Sequence, residues 1–155
     1  MSLNVDAFSL DLDRFARNTN ASLDQVARGV ASRIFENIVR RTPVGDPTYW
    51  KNPAPPGYVG GYARNNWYAS LNQTTDANPV NTPEGGGTAS FSSIGITIAQ
   101  AKAGDVFWIQ NGVEYIQFLE EGTASPRQAP VGMVKVTIQE TITFFNTYAQ
   151  QELNS

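Results

Sequence analysis

Carboxylates are the side chains of this sequence best placed to do chemistry. Glu120 and Glu121 stand side by side, with Glu114 shortly before them. Two carboxylates converging on one bond are the equipment of a glycosidase, one serving as acid and the other as nucleophile or base. The spacing argues against that use. Adjacent residues point about 100° apart on a helix, so Glu120 and Glu121 diverge. Glu114 and Glu121 share a face, and a solvated helix surface accounts for them. Asp11 and Asp13 offer oxygens to a hard cation, but the further oxygens and closing Glu of an EF-hand loop do not follow. The run Glu84-Gly85-Gly86-Gly87 suggests a phosphate cradle. The Lys-Ser/Thr of a P-loop is missing, however, and the residues after it predict no clear helix. Tyr115 and Arg127 suit binding and ordinary structure equally well.

What the chain lacks narrows the chemistry further. It has no cysteine and no histidine. Disulfides and thiolate metal sites are excluded, a Ser–His–Asp hydrolase cannot be assembled, and a zinc site without either residue is rare. Base catalysis near neutral pH would need a carboxylate, lysine or tyrosine with a strongly shifted pKa. The expectation is a protein that is not an enzyme and uses no cofactor or metal.

The net charge is −3. Residues 1–77 hold eight Lys/Arg against seven Asp/Glu, and residues 78–155 hold three against seven. No basic cluster forms the footprint of a nucleic-acid site. Arg40-Arg41 is the one local excess, and a helix C-terminus favours such a pair by its dipole alone. Charged residues make up 16% of the chain, below the usual quarter or so, which favours a subunit covered by neighbours. Met1–Leu12 lacks the pattern of a secretion signal, and no stretch approaches the ~20 apolar residues that span a bilayer. A protein kept in a cytosol, or in something assembled there, is expected.

The elements that must position these residues follow from periodicity. The length of 155 residues suits one domain, 1–155. Residues 1–21 alternate weakly, and Phe8, Leu10 and Leu12 fit a short strand or an arm lying on a partner, or else a loosely held terminus. Leu23, Val26, Ala27, Val30, Ile34, Phe35 and Ile38 recur at helical spacing. Ser22 and Gln25 form a capping box before this helix, and Thr42-Pro43 ends it. Asp24 and Arg28 fall on its solvent side as an i,i+4 pair. From 43 to 61 the chain is rich in Pro and Gly, with Tyr49, Trp50 and Tyr58 between them. That composition predicts a long irregular loop whose rings either dock on a neighbour, since Tyr and Trp are enriched at interfaces, or fold back over the chain's own core.

Tyr62–Asn72 reads as a strand with Trp67, Ala69 and Leu71 on one face, and Ile94, Ile96 and Ile98 alternate into a second. Val106–Gln110 is a third, followed by an Asn111-Gly112 turn. A short helix then runs to Gly122 at its C′ position. Val134, Ile138, Ile142, Phe145 and Ala149 hold helical spacing for over four turns, with Pro130 near the start. The fold class is therefore α+β: long N-terminal and C-terminal amphipathic helices plus one short helix on a small antiparallel sheet of three to four strands. One face of that sheet is left for neighbouring subunits to cover.

Four stretches carry a resemblance: the helix closing in Arg41-Thr42-Pro43-Val44; Gly61-Tyr62-Ala63-Arg64-Asn65-Asn66-Trp67; Ile109-Gln110-Asn111-Gly112-Val113-Glu114-Tyr115 running to Leu119-Glu120-Glu121-Gly122; and Gln128-Ala129-Pro130-Val131-Gly132-Met133-Val134. In this order they resemble the tail-completion or neck (minor tail component) protein family of tailed bacteriophages and, more distantly, the lambda minor tail protein Z. They cover residues 22–44 and 61–138, about two thirds of the chain. Family members pass from Thr-Pro-Val to the glycine within a few residues, whereas this chain inserts Gly45–Gly60.

The resemblance implies a structural virion protein of the head–tail junction, assembled in the host cytoplasm as a homo-oligomeric ring, usually a hexamer. Connector, tail terminator or tail tube proteins would be its neighbours. DNA would pass through the lumen without specific binding, and no membrane is involved. The residues expected at subunit or partner interfaces are Tyr49, Trp50, Tyr58, Tyr62, Arg64, Trp67 and Arg127. The competing reading is a carbohydrate- or receptor-binding module that stacks its ligand on Tyr49, Trp50 and Tyr58.

Overall fold

The computed structural model describes residues 5–82, 84–123 and 131–153. Five helices and a two-stranded antiparallel sheet form an α+β arrangement. The helices are α1 (Val5–Asn18), α2 (Leu23–Arg41), α3 (Thr88–Gln100), α4 (Ile116–Glu120) and α5 (Val134–Leu153), and the strands are β1 (Trp67–Leu71) and β2 (Phe107–Asn111).

Helix α2 is the centre of the molecule. It begins as its capping box requires: Gln25 N donates to Ser22 Oγ at 3.2 Å, and Ser22 N donates to Gln25 Oε1 at 2.9 Å. Its buried stripe is Val26, Ala31, Phe35, Ile38 and Val39, whereas Leu23 stays exposed. Helices α1, α3 and α5 pack around it. Phe35 meets Phe107 of β2 edge-to-face, their centroids 6.5 Å apart. Trp67, Ala69, Ile94, Ile98, Val113, Leu119 and Met133 complete one continuous core.

Several expectations are corrected. The first is the arm: residues 5–18 form α1. The local alternation of Phe8, Leu10 and Leu12 is part of a longer run, Phe8, Leu12 and Phe15, at spacings of four and three. Asn20, with φ of 54°, then breaks the helix in the left-handed region that Asn tolerates.

The second is the isoleucine strand, which is helix α3. Ile94 and Ile98 lie four apart and are both buried, while Ile96 between them is exposed. Three alternating isoleucines fit either period, and burial of only two selects the helical one. The sheet therefore has two strands rather than three or four. Strand β1 is also shorter than Tyr62–Asn72, because Arg64–Asn66 wind into a 3-10 turn first.

The third is the pair Asp24 and Arg28. Arg28 Nε donates to Ala101 O at 2.6 Å, and Asp24 accepts from Ala103 N at 2.8 Å. Both fasten α2 to the turn after α3.

The sheet pairs Trp67 with Asn111 through to Leu71 with Phe107. Strand β1 is closed on its outer side by α3 instead of by another strand. Trp67 N donates to Ser90 Oγ at 2.9 Å, and Thr97 Oγ1 donates to Ala69 O at 3.2 Å. Helix α5 starts on a borrowed cap: Glu120 of α4 accepts from Met133 N, Val134 N and Lys135 N at 2.8, 2.9 and 2.8 Å. A carboxylate there satisfies otherwise orphaned amides and meets the positive end of the helix dipole.

Candidate functional site

The segment Gly61–Trp67 is a structural knot. Gly61 has φ of +83°, and a Cβ there would lie 2.1 Å from Glu84 O, so no other residue fits. Arg64 is half-buried and caps the end of α2, donating to Thr42 O at 2.8 Å, Arg40 O at 3.2 Å and Gly85 O at 3.2 Å. Burial weakens its hold on the proton, and the Glu84 carboxylate acts in the opposite sense.

The two asparagines serve as backbone substitutes. Asn66 exchanges hydrogen bonds with Val80, accepting from its N at 2.7 Å and donating to its O at 3.0 Å, and also donates to Tyr62 O at 2.7 Å. Asn65 donates to Glu84 O and to Gly61 O and accepts from Ala89 N. Trp67 is buried, its indole donating to Thr42 Oγ1 at 2.8 Å. Of the residues expected at an interface, then, Arg64 and Trp67 hold this chain together internally. Arg127 lies outside the described residues.

The glycine run also has a structural occupant, and α3 does follow it. The Glu84 carboxylate accepts from Gly86 N and, at 3.1 Å each, from Gly87 N and Thr88 N. Those amides, chiefly Thr88's and Gly86's, hold its pKa below the ordinary carboxylate value. The position a phosphate would take at this helix start is filled by the chain's own carboxylate. The absence of Ser, Thr, Asp or Asn immediately before Thr88 explains why the helix was not expected: its cap comes from further upstream.

The remaining carboxylates do not converge. Glu120 is committed to α5, Glu121 accepts from Gln117 at 3.1 Å, and Glu114 is exposed. No group of three metal-ligating side chains comes together among the described residues. The arginine pair is engaged too: Arg41 bridges to Glu140 at 2.5 Å and donates to Thr137 at 2.7 Å, while Arg40 lies 5.1 Å over the Phe91 ring.

What remains open is aromatic. The 45–60 loop is ordered by its own contacts. Asp46 caps a 3-10 turn at Pro47–Tyr49, accepting from Thr48 N at 2.9 Å and Thr48 Oγ1 at 2.7 Å; these two bonds hold its pKa low. Tyr58 OH donates to Gly45 O at 3.3 Å, closing the loop at its base. Trp50 and Tyr58 meet edge-to-face with centroids 4.8 Å apart at 63°. A Cβ at Gly45 would strike the Tyr58 hydroxyl at 2.4 Å, so this glycine makes room for the ring.

Despite this order, Tyr49, Trp50, Tyr58 and Tyr62 all remain exposed. Tyr115, just before α4, joins them. Burial raises its phenol pKa, and the Tyr58 and Tyr62 phenols, close enough to act on it, push the same way. Tyr58 is raised by burial alone. The Tyr58, Tyr62 and Tyr115 phenols thus lie near one another although Tyr115 is more than fifty residues from the other two, Trp50 packs on Tyr58, and Tyr49 and Phe118 are exposed as well. The sequence singles out Tyr115 but carries no signal that would bring it near Tyr58 and Tyr62, since that proximity exists only after folding.

No protein-family model, no curated protein and no solved structure matches this chain.

Proposed function

We propose that this chain is a structural virion subunit of a tailed phage, acting at the head–tail junction as a tail-completion or head–tail joining component. The observation that carries the proposal is the ordered but uncovered aromatic surface of Trp50, Tyr58, Tyr62 and Tyr115. Trp50 and Tyr58, held in place by contacts within their own loop, present preorganised contact area, which lowers the entropy lost on docking. The four sequence stretches that resemble the family point the same way, and Glu84 and Glu120, which look chemical in the sequence, are spent on the starts of α3 and α5.

On this reading the surface meets another copy in a ring, most simply a hexamer, or a neighbouring connector, tail terminator or tail tube protein. Six copies at −3 each carry 6 × −3 = −18, which repels DNA in transit rather than gripping it. The carbohydrate-binding alternative gains nothing from the geometry: Trp50 and Tyr58 at 63° share no common plane on which to lay a sugar ring.

Removing the gene from its phage and imaging the particles tests the role. Separate heads and tails, or tails with an unfinished upper end, are the expected result; normal infectious virions would overturn it. Glycan binding by the purified protein that is lost in Trp50→Ala would move the assignment to the alternative.

A further inference from the structure

We infer that the outer edge of β2 is an interface with a second copy of this chain, two β2 strands pairing antiparallel about a two-fold axis at Trp108 to join two small sheets into one of four strands. This inference does not depend on the virion role.

The argument begins with the direction of backbone groups. Asn72 N donates to Val106 O at 2.7 Å, which marks that opposed pair as hydrogen-bonded. Antiparallel pairs alternate, so Ser70–Trp108 and Tyr68–Gln110 are bonded too, and the N–H and C=O of Phe107, Ile109 and Asn111 point away from β1. On β1 the outward groups are those of Trp67, Ala69 and Leu71, and α3 lies along that side, Ser90 taking the Trp67 N–H and Thr97 meeting the Ala69 carbonyl. Among the described residues no hydrogen bond reaches the outward backbone groups of Phe107 or Ile109, and no strand other than β1 pairs with β2. Free donors and acceptors at strand spacing take one kind of partner, another extended backbone.

Self-pairing is selected by what the strand carries. Phe107–Asn111 holds no charge and no proline, and its register is continuous without a bulge, so the devices that keep edges apart are missing. With the axis at Trp108, Phe107 of each copy opposes Ile109 of the other, so the outward groups of these two residues are satisfied in both copies. Trp108 then faces Trp108 in the closely spaced non-bonded position, where cross-strand aromatic pairs are favourable. Val106 and Trp108, 55% and 41% exposed, project from the face opposite the core and form one apolar patch across the axis. Asp105 comes opposite Asn111, so no like charges meet. Shifting the axis to Ile109 would set Trp108 against Gln110, whose side chain already accepts from Thr75 N at 2.8 Å, and would lose the ring pair.

The chain has no cysteine, so disulfide trapping reads the register directly. In Trp108→Cys the two Cα atoms at the axis lie about 4.5 Å apart, within disulfide reach. In Val106→Cys they are four residues apart along the ladder, roughly 14 Å, and out of reach. On mild oxidation of the full chain, the first variant forms a covalent dimer and the second does not. Sedimentation is expected to show the unmodified chain dimerising, and Trp108→Lys, which sets two ammonium groups face to face, should weaken the dimer roughly tenfold. Equal cross-linking of both cysteine variants, or an unmodified chain that sediments only as a monomer, overturns the inference. Should Trp108→Lys fail to fold, the contrast between the cysteine variants decides alone. A ring that Trp50→Ala disperses but Trp108→Cys cannot trap overturns the β2 interface and leaves the aromatic surface standing.

Discussion

Residues 45–60 and 61–67 adjoin in the chain and use tryptophan in opposite ways. In the knot, Trp67 sinks into the core because Thr42, at the C-cap of α2, meets its indole N–H and Ser90 of α3 meets its backbone N–H. In the loop, Trp50 touches chiefly Tyr58, its partner on the same loop, and stays exposed. A buried indole needs a polar partner as well as apolar neighbours, and only the knot receives both from other elements. Aromatic content alone therefore does not mark a docking surface. What marks one is an aromatic group whose supports all come from its own segment, leaving a face over.

That contrast can be broken most forcefully at the knot. Trp67→Ala should destabilise the isolated chain by about 3–5 kcal/mol, measured by urea unfolding. A loss under roughly 1 kcal/mol would mean the knot is no more structural than the loop. Asn66→Ala strips Val80 N and two carbonyls of their partner and should cost about 2–3 kcal/mol in the same experiment. Trp50→Ala sharpens the comparison from the other side. Its cost to the isolated chain should be about 1 kcal/mol or less, while association with itself or with neck partners, followed by native mass spectrometry, is lost.

Acid should also tell the regions apart. The pKa values of Glu84, Asp46 and Asp105 are depressed in the folded chain by hydrogen bonds they accept, from Thr88 and Gly86, from Thr48, and from Asn72 and Lys102 respectively. A depressed folded pKa contributes stability above the unfolded value that is lost as pH falls through the folded one. The decline therefore belongs below the ordinary values of 4.5 for Glu84 and 3.8 for the aspartates. Glu84→Gln should flatten the decline at the knot, monitored by Trp67 fluorescence, more than Asp46→Asn does. The smallest effect lies at high pH. The Tyr58 and Tyr115 phenols are raised above 10, so their stabilising contribution is complete below pH 10 and fades above it. Tyr115→Phe should remove one late-ionising phenol from an absorbance titration.

Much of the fold was legible where one element carries its own signals. Helix α2 announced itself by a capping box and a stripe, and α5 by four turns of consistent spacing. Helix α3 was hidden because its cap, Glu84, is separated from Thr88 by three glycines and because Ile94, Ile96 and Ile98 satisfy the strand period locally. Helix α1 was hidden by a similar short-range coincidence. The aromatic loop was legible in composition, since Tyr49, Trp50 and Tyr58 do stay exposed. Trp67 and Arg64 were not separable from that set, because their partners Thr42, Ser90 and Gly85 come from distant parts of the sequence. Tyr115 was missed as a member of the surface for the same reason.

The hydroxyl groups of Ser90 and Thr97 have a consequence for how far this protein can associate through its sheet. A strand ribbon that offers two free margins can recruit copies without limit, and that is the route to fibres. Here a helix occupies one margin with side-chain oxygens, so growth has a single direction and stops once that side is taken. The same five-residue strand that carries no charge to repel its like is thereby kept from polymerising.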